Sequence, residues 1–240
     1  MPADQPPFKV FRAFNQAALA PLARLKSRMS PRALEAFQGS GSPARIAAAL
    51  AERRVVAVKE VIESFEFHYR TRRRLRAPAM ADLCAGHGLT GLLFATEPGV
   101  KQLSLIDRRR PDSYEAVLDA VASVHPEVRD KVRYLEIPVE DAAAELPAGT
   151  HSLAVHACSL ATDRCIDLAI ELGGAIAAMP CCYQNTGRDG PIGIRSALGG
   201  QLATDIDRSY RLHAAGYRVD WAWVPPTLTP MNRILVAWRG

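Results

Sequence analysis

Short apolar runs alternate with stretches of helical periodicity over the last two thirds of the chain. The apolar runs occupy positions 79–83, 102–106, 132–137, 152–155 and 174–179, and helical spacing is seen over 90–96, 114–124, 141–146 and 163–172. Brief apolar runs separated by helices are typical of βαβ units. The pattern therefore predicts an α/β domain with a parallel sheet.

The end of the chain departs from this alternation. A helical stretch over 196–215 is followed by two apolar runs, 217–224 and 232–239, which are connected by the sequence PPTLTPM. A parallel crossover needs about a dozen residues or more, so we expect these two strands to be antiparallel. The expected fold is thus a mostly parallel sheet of about seven strands with an antiparallel strand near its C-terminus.

The first third of the chain is predicted to be helical. Amphipathic pieces over 13–25 and 31–37 precede a loop at 39–43, and apolar residues then recur at helical spacing from 44 to 74. The predicted long helix ends in TRRRLR, positions 71–76, and Pro78 stops it. We divide the chain into a helical N-terminal cap, 1–77, and an α/β domain, 78–240.

Charge is distributed unevenly between these two parts. Up to Pro78 the chain has fifteen Lys and Arg against six Asp and Glu, a net +9, whereas the remainder has fifteen against nineteen, a net −4. Such asymmetry indicates that the N-terminal segment binds an anion, with nucleic acid as the leading partner. The run Arg72, Arg73 and Arg74 is expected to contribute to this binding. A helical layer with a solvated basic face is the alternative.

The sequence also indicates the cellular compartment in which the protein is found. No run approaches the roughly 18 apolar residues of a membrane span, and the N-terminus lacks the layout of a secretory signal. Five cysteines, an odd number, do not suit a disulfide framework. We therefore expect a cytoplasmic protein with free thiols.

The first predicted strand runs into a glycine-rich loop, ADLCAGHGLTG at 81–91. Gly86, Gly88 and Gly91 fit the pattern G-x-G-x-x-G, which alone is weak evidence for a nucleotide site. Asp82 stands four residues before Gly86, where a dinucleotide would need room for a pyrophosphate. A carboxylate there suits the ammonium and sulfonium groups of S-adenosylmethionine (SAM) instead.

A second carboxylate, Asp107, ends the next predicted strand and is typical of a residue that binds ribose hydroxyls. Asp107 alone suits either class of nucleoside cofactor. Asp82, the glycines of the loop, Asp107 and the antiparallel closing strands together favour a SAM site of the class I methyltransferase kind. Asp141 is either a contact to the adenine or a helix N-cap. The predicted cofactor-binding residues are Asp82, Cys84, Ala85, Gly86, Gly88, Asp107, Arg108, Glu140, Asp141 and His156.

Two unusual clusters follow the fourth and fifth strands, HACSLATD at 156–163 and MPCCYQN at 179–185. They resemble the motifs H-x-C-G-x-x-T-D and C-C-Y or C-C-H of a Rossmann-like methyltransferase family that includes the eukaryotic tRNA acceptor-stem 2′-O-methyltransferases. The resemblance covers about 79–185 and implies a SAM-dependent methyltransferase. Ser159 stands where that family has glycine. The N-terminal segment has no cysteine, so the zinc fingers of the eukaryotic RNA enzymes have no counterpart.

The candidate catalytic residues lie at these two strand ends: His156, Cys158, Cys181, Cys182 and Tyr183. His156 is the natural general base for an acceptor hydroxyl. Asp163 either orients that base or caps a helix. Tyr183 could stack on a base or lie against the methionine part of the cofactor.

The cysteines admit three interpretations. Cys158 with Cys181 or Cys182 could supply the thiolate nucleophile that methylation of a pyrimidine carbon requires. A zinc site needs four convergent ligands, and we expect no metal because adjacent cysteines usually point apart and the chain has no C-x-x-C pair. Packing of small thiols around a cofactor is the third interpretation, and Cys165 fits it best.

These features predict a SAM-dependent methyltransferase that acts on RNA, either tRNA or rRNA. The alternatives are methylation of a protein or a small molecule, and a non-catalytic binding module with the same fold. The glycine-rich stretch after position 185, with Arg188 and Arg195, is a candidate lid over the acceptor.

Overall fold

The computed structural model describes residues 6–184 and 190–240. Its centre is one sheet of seven strands: β1 Ala79–Leu83, β2 Gln102–Asp107, β3 Val132–Glu136, β4 His151–Val155, β5 Ile176–Met179, β6 Arg218–Trp223 and β7 Arg233–Trp238. The order across the sheet is β3-β2-β1-β4-β5-β7-β6. Strands β1 to β5 pair in parallel, and β7 is antiparallel to both of its neighbours. The predicted fold class is confirmed.

Eight α-helices accompany the sheet in the described ranges: α1 Ser42–Arg53, α2 Val58–Leu75, α3 Leu89–Ala95, α4 Tyr114–Ala122, α5 Val128–Lys131, α6 Leu160–Leu172, α7 Ile192–Leu198 and α8 Gly200–Ala214. Among the described residues, none of these helices has the length and apolar character needed to cross a membrane.

Alternate residues of the strands build two separate apolar cores. Met80, with Leu105 on the neighbouring strand, packs with α1 to α4 on one face, and Ala81 with Ile106 packs with α6 and α8 on the other. This two-faced burial is what a parallel sheet covered by helices requires. The N-terminal segment contributes Phe14, together with the buried face of α2, to the first core. The sheet and the N-terminal segment therefore share one core, whereas the boundary at 77/78 stays a prediction.

The single helix predicted over 44–74 is wrong, because the chain turns between α1 and α2. Arg54 and Val56 both have left-handed backbone, with φ of 51° and 60°. The amide of Met29 donates to the Val56 carbonyl at 2.8 Å, so an earlier segment holds the turn in place. Apolar spacing continues on both sides of this turn, and periodicity alone could not reveal it.

Four other helical predictions also change in detail. The piece over 13–25 is two short 3-10 helices, Arg12–Asn15 and Ala20–Arg24, and the piece over 31–37 is a 3-10 helix, Pro31–Phe37. The helix expected at 141–146 is likewise a 3-10 helix, Val139–Glu145. The helix expected over 196–215 is interrupted at Gly199, whose φ of 80° separates α7 from α8.

Candidate active site

The carboxyl ends of β1, β2 and β4 surround a cleft of about 360 Å³. Its walls include Cys84, Asp107, Arg108, Glu140, Cys158 and Arg164. Ligands of open α/β sheets bind at this edge. Five of the predicted site residues thus meet in one cleft, although they come from separate parts of the chain.

The glycine loop is held tightly against the sheet. A Cβ on Gly91 would lie 2.6 Å from Leu105 Cδ2 and 2.8 Å from Asp82 Oδ2, so this position needs glycine. Gly86 differs, because a Cβ there would meet nothing within 4 Å and its φ is 51°. The close packing around Gly91 holds α3 against the sheet. The open space at Gly86 leaves a gap beside the start of α3.

Asp82 is buried beneath the loop and does not line the cleft. The Gly91 amide donates to its Oδ2 at 2.9 Å. Burial raises the pKa of the Asp82 carboxyl to about 7; the Gly91 hydrogen bond opposes this rise and the charge of Asp107 adds to it. Asp82 therefore supports the loop and the start of α3, and direct contact with a cofactor stays a prediction.

Asp107 presents a fixed carboxylate to the cleft. The amide of Gly86 donates to Oδ2 at 2.9 Å and the amide of Arg108 donates to Oδ1 at 2.8 Å. The hydroxyl of Tyr134 donates to the Gly86 carbonyl at 2.9 Å and steadies the same turn. Each Asp107 oxygen keeps a lone pair for a ligand.

Glu140 and Asp141 have different surroundings. Glu140 lies at the cleft between Arg108 and Arg164 and pairs with both. Asp141 is exposed and lies inside the 3-10 helix, whose N-cap position is Pro138. The N-cap interpretation of Asp141 is therefore wrong, and its contact with an adenine stays a prediction.

His156 directly follows β4 and contacts a residue that the sequence analysis did not single out. Its Nε2 lies 3.0 Å from Oε2 of Glu63, a buried glutamate on α2 that also pairs with Lys59. The sequence contained one modest signal, namely a glutamate within a helix whose other inward positions are mostly apolar. The N-terminal segment thus supplies one side of the His156 environment.

The first turn of α2 makes a similar contact with the glycine loop. Glu60 Oε2 lies 3.3 Å from Nε2 of His87. The hydrogen bond with His87 lowers the pKa of Glu60 despite partial burial. Two carboxylates on successive turns of α2 therefore pair with two histidines that follow β1 and β4.

Three thiols converge beyond the ends of β4 and β5. Cys158 Sγ lies 3.1 Å from Cys181 Sγ, and the sulfurs of Cys158, Cys181 and Cys182 are all within 4.8 Å of one another. Ser159 Oγ lies 3.8 Å from Cys182 Sγ. The expectation that the adjacent cysteines point apart is wrong, because both follow Pro180 outside strand β5, where side chains need not alternate.

The three thiols differ in acidity. Burial raises the pKa of Cys158 and, more strongly, that of Cys181. Burial also acts on Cys182, but hydrogen bonds from Cys158 and Ser159 outweigh it and lower its pKa. Cys182 is therefore the thiol of the three that ionises most readily.

Ser159 lies in the first of the two clusters, 156–163, and Cys165 follows that cluster on α6. Cys165 is buried in the core, as expected, and it hydrogen-bonds Cys84, which lowers the pKa of the Cys84 thiol. Ser159 has φ of 54° and ψ of −122°, a backbone that favours glycine. Ser159 thus holds a backbone conformation that glycine adopts more readily, and it adds a hydroxyl to the turn.

Asp163 does neither of the things expected of it. Helix α6 is capped at Ser159, and the buried Asp163 carboxylate accepts two hydrogen bonds from Arg208, at 3.2 and 2.7 Å. Arg211 donates to it as well. Asp163 therefore anchors α8 to α6, and His156 is oriented by Glu63.

Tyr183 belongs to the same buried network. Its hydroxyl donates to Asp205 Oδ2 at 2.8 Å, and Arg233 donates to the same oxygen at 2.7 Å. Burial and the charge of Asp205 raise the pKa of Tyr183. Its ring remains half-buried, whereas its hydroxyl is already engaged. Asn185 and Arg188, from the second cluster and the predicted lid, lie outside the described residues.

No protein-family model and no curated protein matches the chain. Solved structures do resemble it. A protein of Corynebacterium glutamicum is 18% identical with a TM-score of 0.51, covering 86% of this chain and 94% of that one. An rRNA methylase from Streptococcus thermophilus is 10% identical with a TM-score of 0.49, and the match covers 73% of this chain and 96% of that one. Human N-acetylserotonin methyltransferase in complex with SAM is 14% identical with a TM-score of 0.43, and the match covers 95% of this chain and 69% of that one. At these identities the first likeness shows the fold alone.

Proposed function

We propose that this chain is a SAM-dependent methyltransferase that acts on RNA, either tRNA or rRNA. The observation that carries the proposal is the Asp107 carboxylate, which two backbone amides hold at the cleft beside the open side of the glycine loop. A carboxylate in this position binds the two ribose hydroxyls of a nucleoside cofactor. Asp107 is therefore the main cofactor anchor.

The charges around the loop distinguish between nucleoside cofactors. The pyrophosphate of a dinucleotide would lie at the start of α3. Asp82 and Asp107 both accept amide hydrogen bonds from that loop, so two carboxylates already surround it. These engaged amides and the charge of Asp107, which faces the cleft, disfavour a phosphate, and the Asp107 charge attracts the ammonium and sulfonium groups of SAM. The residues present fit SAM, which when bound supplies an electrophilic methyl group.

His156 is the general base in this proposal. An acceptor hydroxyl must lose its proton as its oxygen attacks the methyl carbon. The Glu63 carboxylate favours the tautomer with the proton on Nε2, and this leaves Nδ1 as the atom that accepts the acceptor's proton. Glu63 then stabilises the imidazolium that forms. Glu63 is a positioning residue, since it acts through His156.

A basic hollow supports RNA as the acceptor. Arg28, Arg32 and Arg54 line a surface hollow of about 580 Å³. The Val58 amide, at the start of α2, donates to the Ser27 carbonyl, so the hollow adjoins the end of α2 that carries Glu60 and Glu63. Guanidinium groups bind phosphates well. An RNA backbone bound here would lie at the end of α2 that carries Glu60 and Glu63.

The arginines first expected to bind RNA lie elsewhere. Arg72 and Arg74 belong to the last turn of α2, roughly 14 Å along the helix axis from Glu63. Arg72 pairs with Glu97, and Arg74 lies 4.3 Å from the ring centroid of Trp238. The proposal therefore assigns RNA binding to the hollow beside the start of α2. A cytoplasmic location, in which the five cysteines remain reduced thiols, belongs to the same proposal.

The test is transfer of labelled methyl from SAM into cell extract, followed by ribonuclease or protease. We expect the label to be lost with ribonuclease, and its rate of incorporation to fall by about 10²-fold for the His156→Ala variant. Label that resists ribonuclease and is lost with protease would overturn the RNA assignment. Calorimetric titration with SAM tests the cofactor separately, and equal affinity of the wild type and Asp107→Ala would overturn the cofactor model.

A further inference from the structure

The three thiols beyond β4 and β5 form a compact group with a known use in proteins. Cys158, Cys181 and Cys182 place their sulfurs within 4.8 Å of one another. Thiolates bound to one zinc ion lie about 2.3 Å from it, so neighbouring sulfurs in a tetrahedral site are about 3.8 Å apart. The group needs only small side-chain rotations to reach that spacing.

We propose that Cys158, Cys181 and Cys182 bind a single zinc ion through three thiolates, with the fourth position open to solvent or to a ligand in the cleft. This site is independent of the SAM site at Asp107. Within the described residues, no other histidine, cysteine or carboxylate joins the group. Three protein ligands with an open position are characteristic of zinc sites that bind an exogenous molecule.

The surroundings of the thiols suit a bound cation. Ser159 Oγ lies 3.8 Å from Cys182 Sγ and can donate to that sulfur once it is a thiolate. In the free thiol form, Cys158 and Cys181 each face the His156 carbonyl as donors, at 3.4 and 3.8 Å, and both protons leave when the thiolates bind the ion. The hydrogen bond from Ser159 is of the kind that orients a metal ligand and tunes its affinity. Cys158 is exposed, so the ion has a path from solvent.

The proposed zinc site adjoins the cleft that contains Asp107. Cys158 lines the cleft, whereas Cys181 and Cys182 stand behind it on the side of β5. A group on an acceptor could therefore occupy the open zinc position while SAM lies against Asp107. Zinc binding and nucleophilic attack on a pyrimidine ring compete for the same sulfurs, because coordination to zinc draws on the electron pairs with which a thiolate attacks.

The experiment measures zinc binding to the full chain, purified with a non-thiol reductant and without chelator. We expect one zinc ion per chain by elemental analysis, and a thiolate-to-metal charge-transfer absorption when Co²⁺ replaces it. Cys158→Ser, Cys181→Ser and Cys182→Ser should each weaken zinc binding at least about tenfold. Cys84→Ser and Cys165→Ser are the matched controls, since they remove thiols outside the group, and they should bind zinc as the wild type does.

Two results would overturn the zinc site. One is wild-type zinc affinity no greater than that of the variant in which all three cysteines are serine. The other is equal loss of zinc binding in the Cys84→Ser control. Ser159→Gly removes the hydroxymethyl side chain at a position whose positive φ glycine adopts readily, so it separates folding from binding. We expect this variant to retain its thermal stability and to bind zinc more weakly than the wild type.

Discussion

The Glu63 carboxylate lies 3.0 Å from Nε2 of His156, although 93 residues separate them along the chain. One residue comes from the basic N-terminal segment and the other from the end of β4. The pair makes α2 part of the candidate active site and gives the proposed base a fixed orientation. It also leads to the first prediction.

Replacement of Glu63 by glutamine should slow methyl transfer without weakening cofactor binding. The amide keeps the shape of the side chain but cannot stabilise an imidazolium. We expect kcat to fall about tenfold or more, whereas His156→Ala should lower it by about 10²-fold. Steady-state kinetics and calorimetric titration with SAM measure the two quantities separately.

Glu60→Gln is the matched control for Glu63, since it changes a carboxylate one turn earlier on α2 that pairs with His87. It should leave kcat near the wild-type value. If Glu63→Gln lowers thermal stability and SAM affinity while kcat per folded molecule is unchanged, its role is structural and the positioning role is excluded.

The second prediction concerns the basic hollow. Changing Arg28, Arg32 and Arg54 together to alanine should weaken RNA binding and reduce its salt dependence, by roughly one unit of slope for each phosphate that the variant no longer binds. Fluorescence anisotropy with a labelled RNA over a range of salt concentrations measures both effects. SAM affinity should remain as in the wild type.

The matched variant removes the same number of arginines at the other end of α2, Arg72, Arg73 and Arg74. It should lose less affinity for RNA than the hollow variant does. The reverse order would place the RNA surface at the arginine run that the sequence pattern first suggested, on the far end of the helix from Glu63.

Sequence pattern predicted the sheet and the loop well because both depend on local periodicity and glycine placement. The left-handed turn at Arg54 and Val56 carries no glycine, so nothing marks it in the chain. The Glu63–His156 pair and the convergence of the thiols depend on how distant elements pack. Such contacts follow from the tertiary fold, and the spacing of residues along one strand or helix does not encode them.

The third prediction concerns the buried ion pair between α6 and α8. Asp163 and Arg208 are both almost fully buried, with side chains 5% and 1% exposed. Asp163→Asn would leave the Arg208 guanidinium without its closest counter-ion, at a cost of about 3–5 kcal/mol in the free energy of unfolding. Chemical denaturation measures this loss.

Asp167→Asn provides the comparison for that pair. Asp167 contacts Arg211 from a position that is 57% exposed, so the loss there should stay within about 1 kcal/mol. The kcat of folded Asp163→Asn should match the wild type, since its carboxylate does not contact His156. A specific fall in kcat with unchanged stability would restore the base-orienting role.

The last prediction is a pH dependence of stability that arises from Asp82. Its pKa is about 7 in the folded protein and near 3.8 without the influence of the fold. The folded state therefore holds this proton more tightly than the unfolded state does. The contribution of the Asp82 carboxyl to the free energy of unfolding is fully present below pH 4 and is lost as the pH rises from about 4 to about 7. A difference of this size corresponds to about 4 kcal/mol as an upper bound.

Asp82→Asn tests this directly, because the amide has similar shape, can still accept the Gly91 hydrogen bond and does not titrate. Urea unfolding at pH 5 and at pH 7.5 gives the free energy for both proteins. The wild type should lose more stability between these pH values than the variant, and other groups cancel in the comparison. Equal losses would mean that the Asp82 carboxyl ionises as freely in the folded chain as in the unfolded one, and that its burial beneath the glycine loop has no energetic consequence.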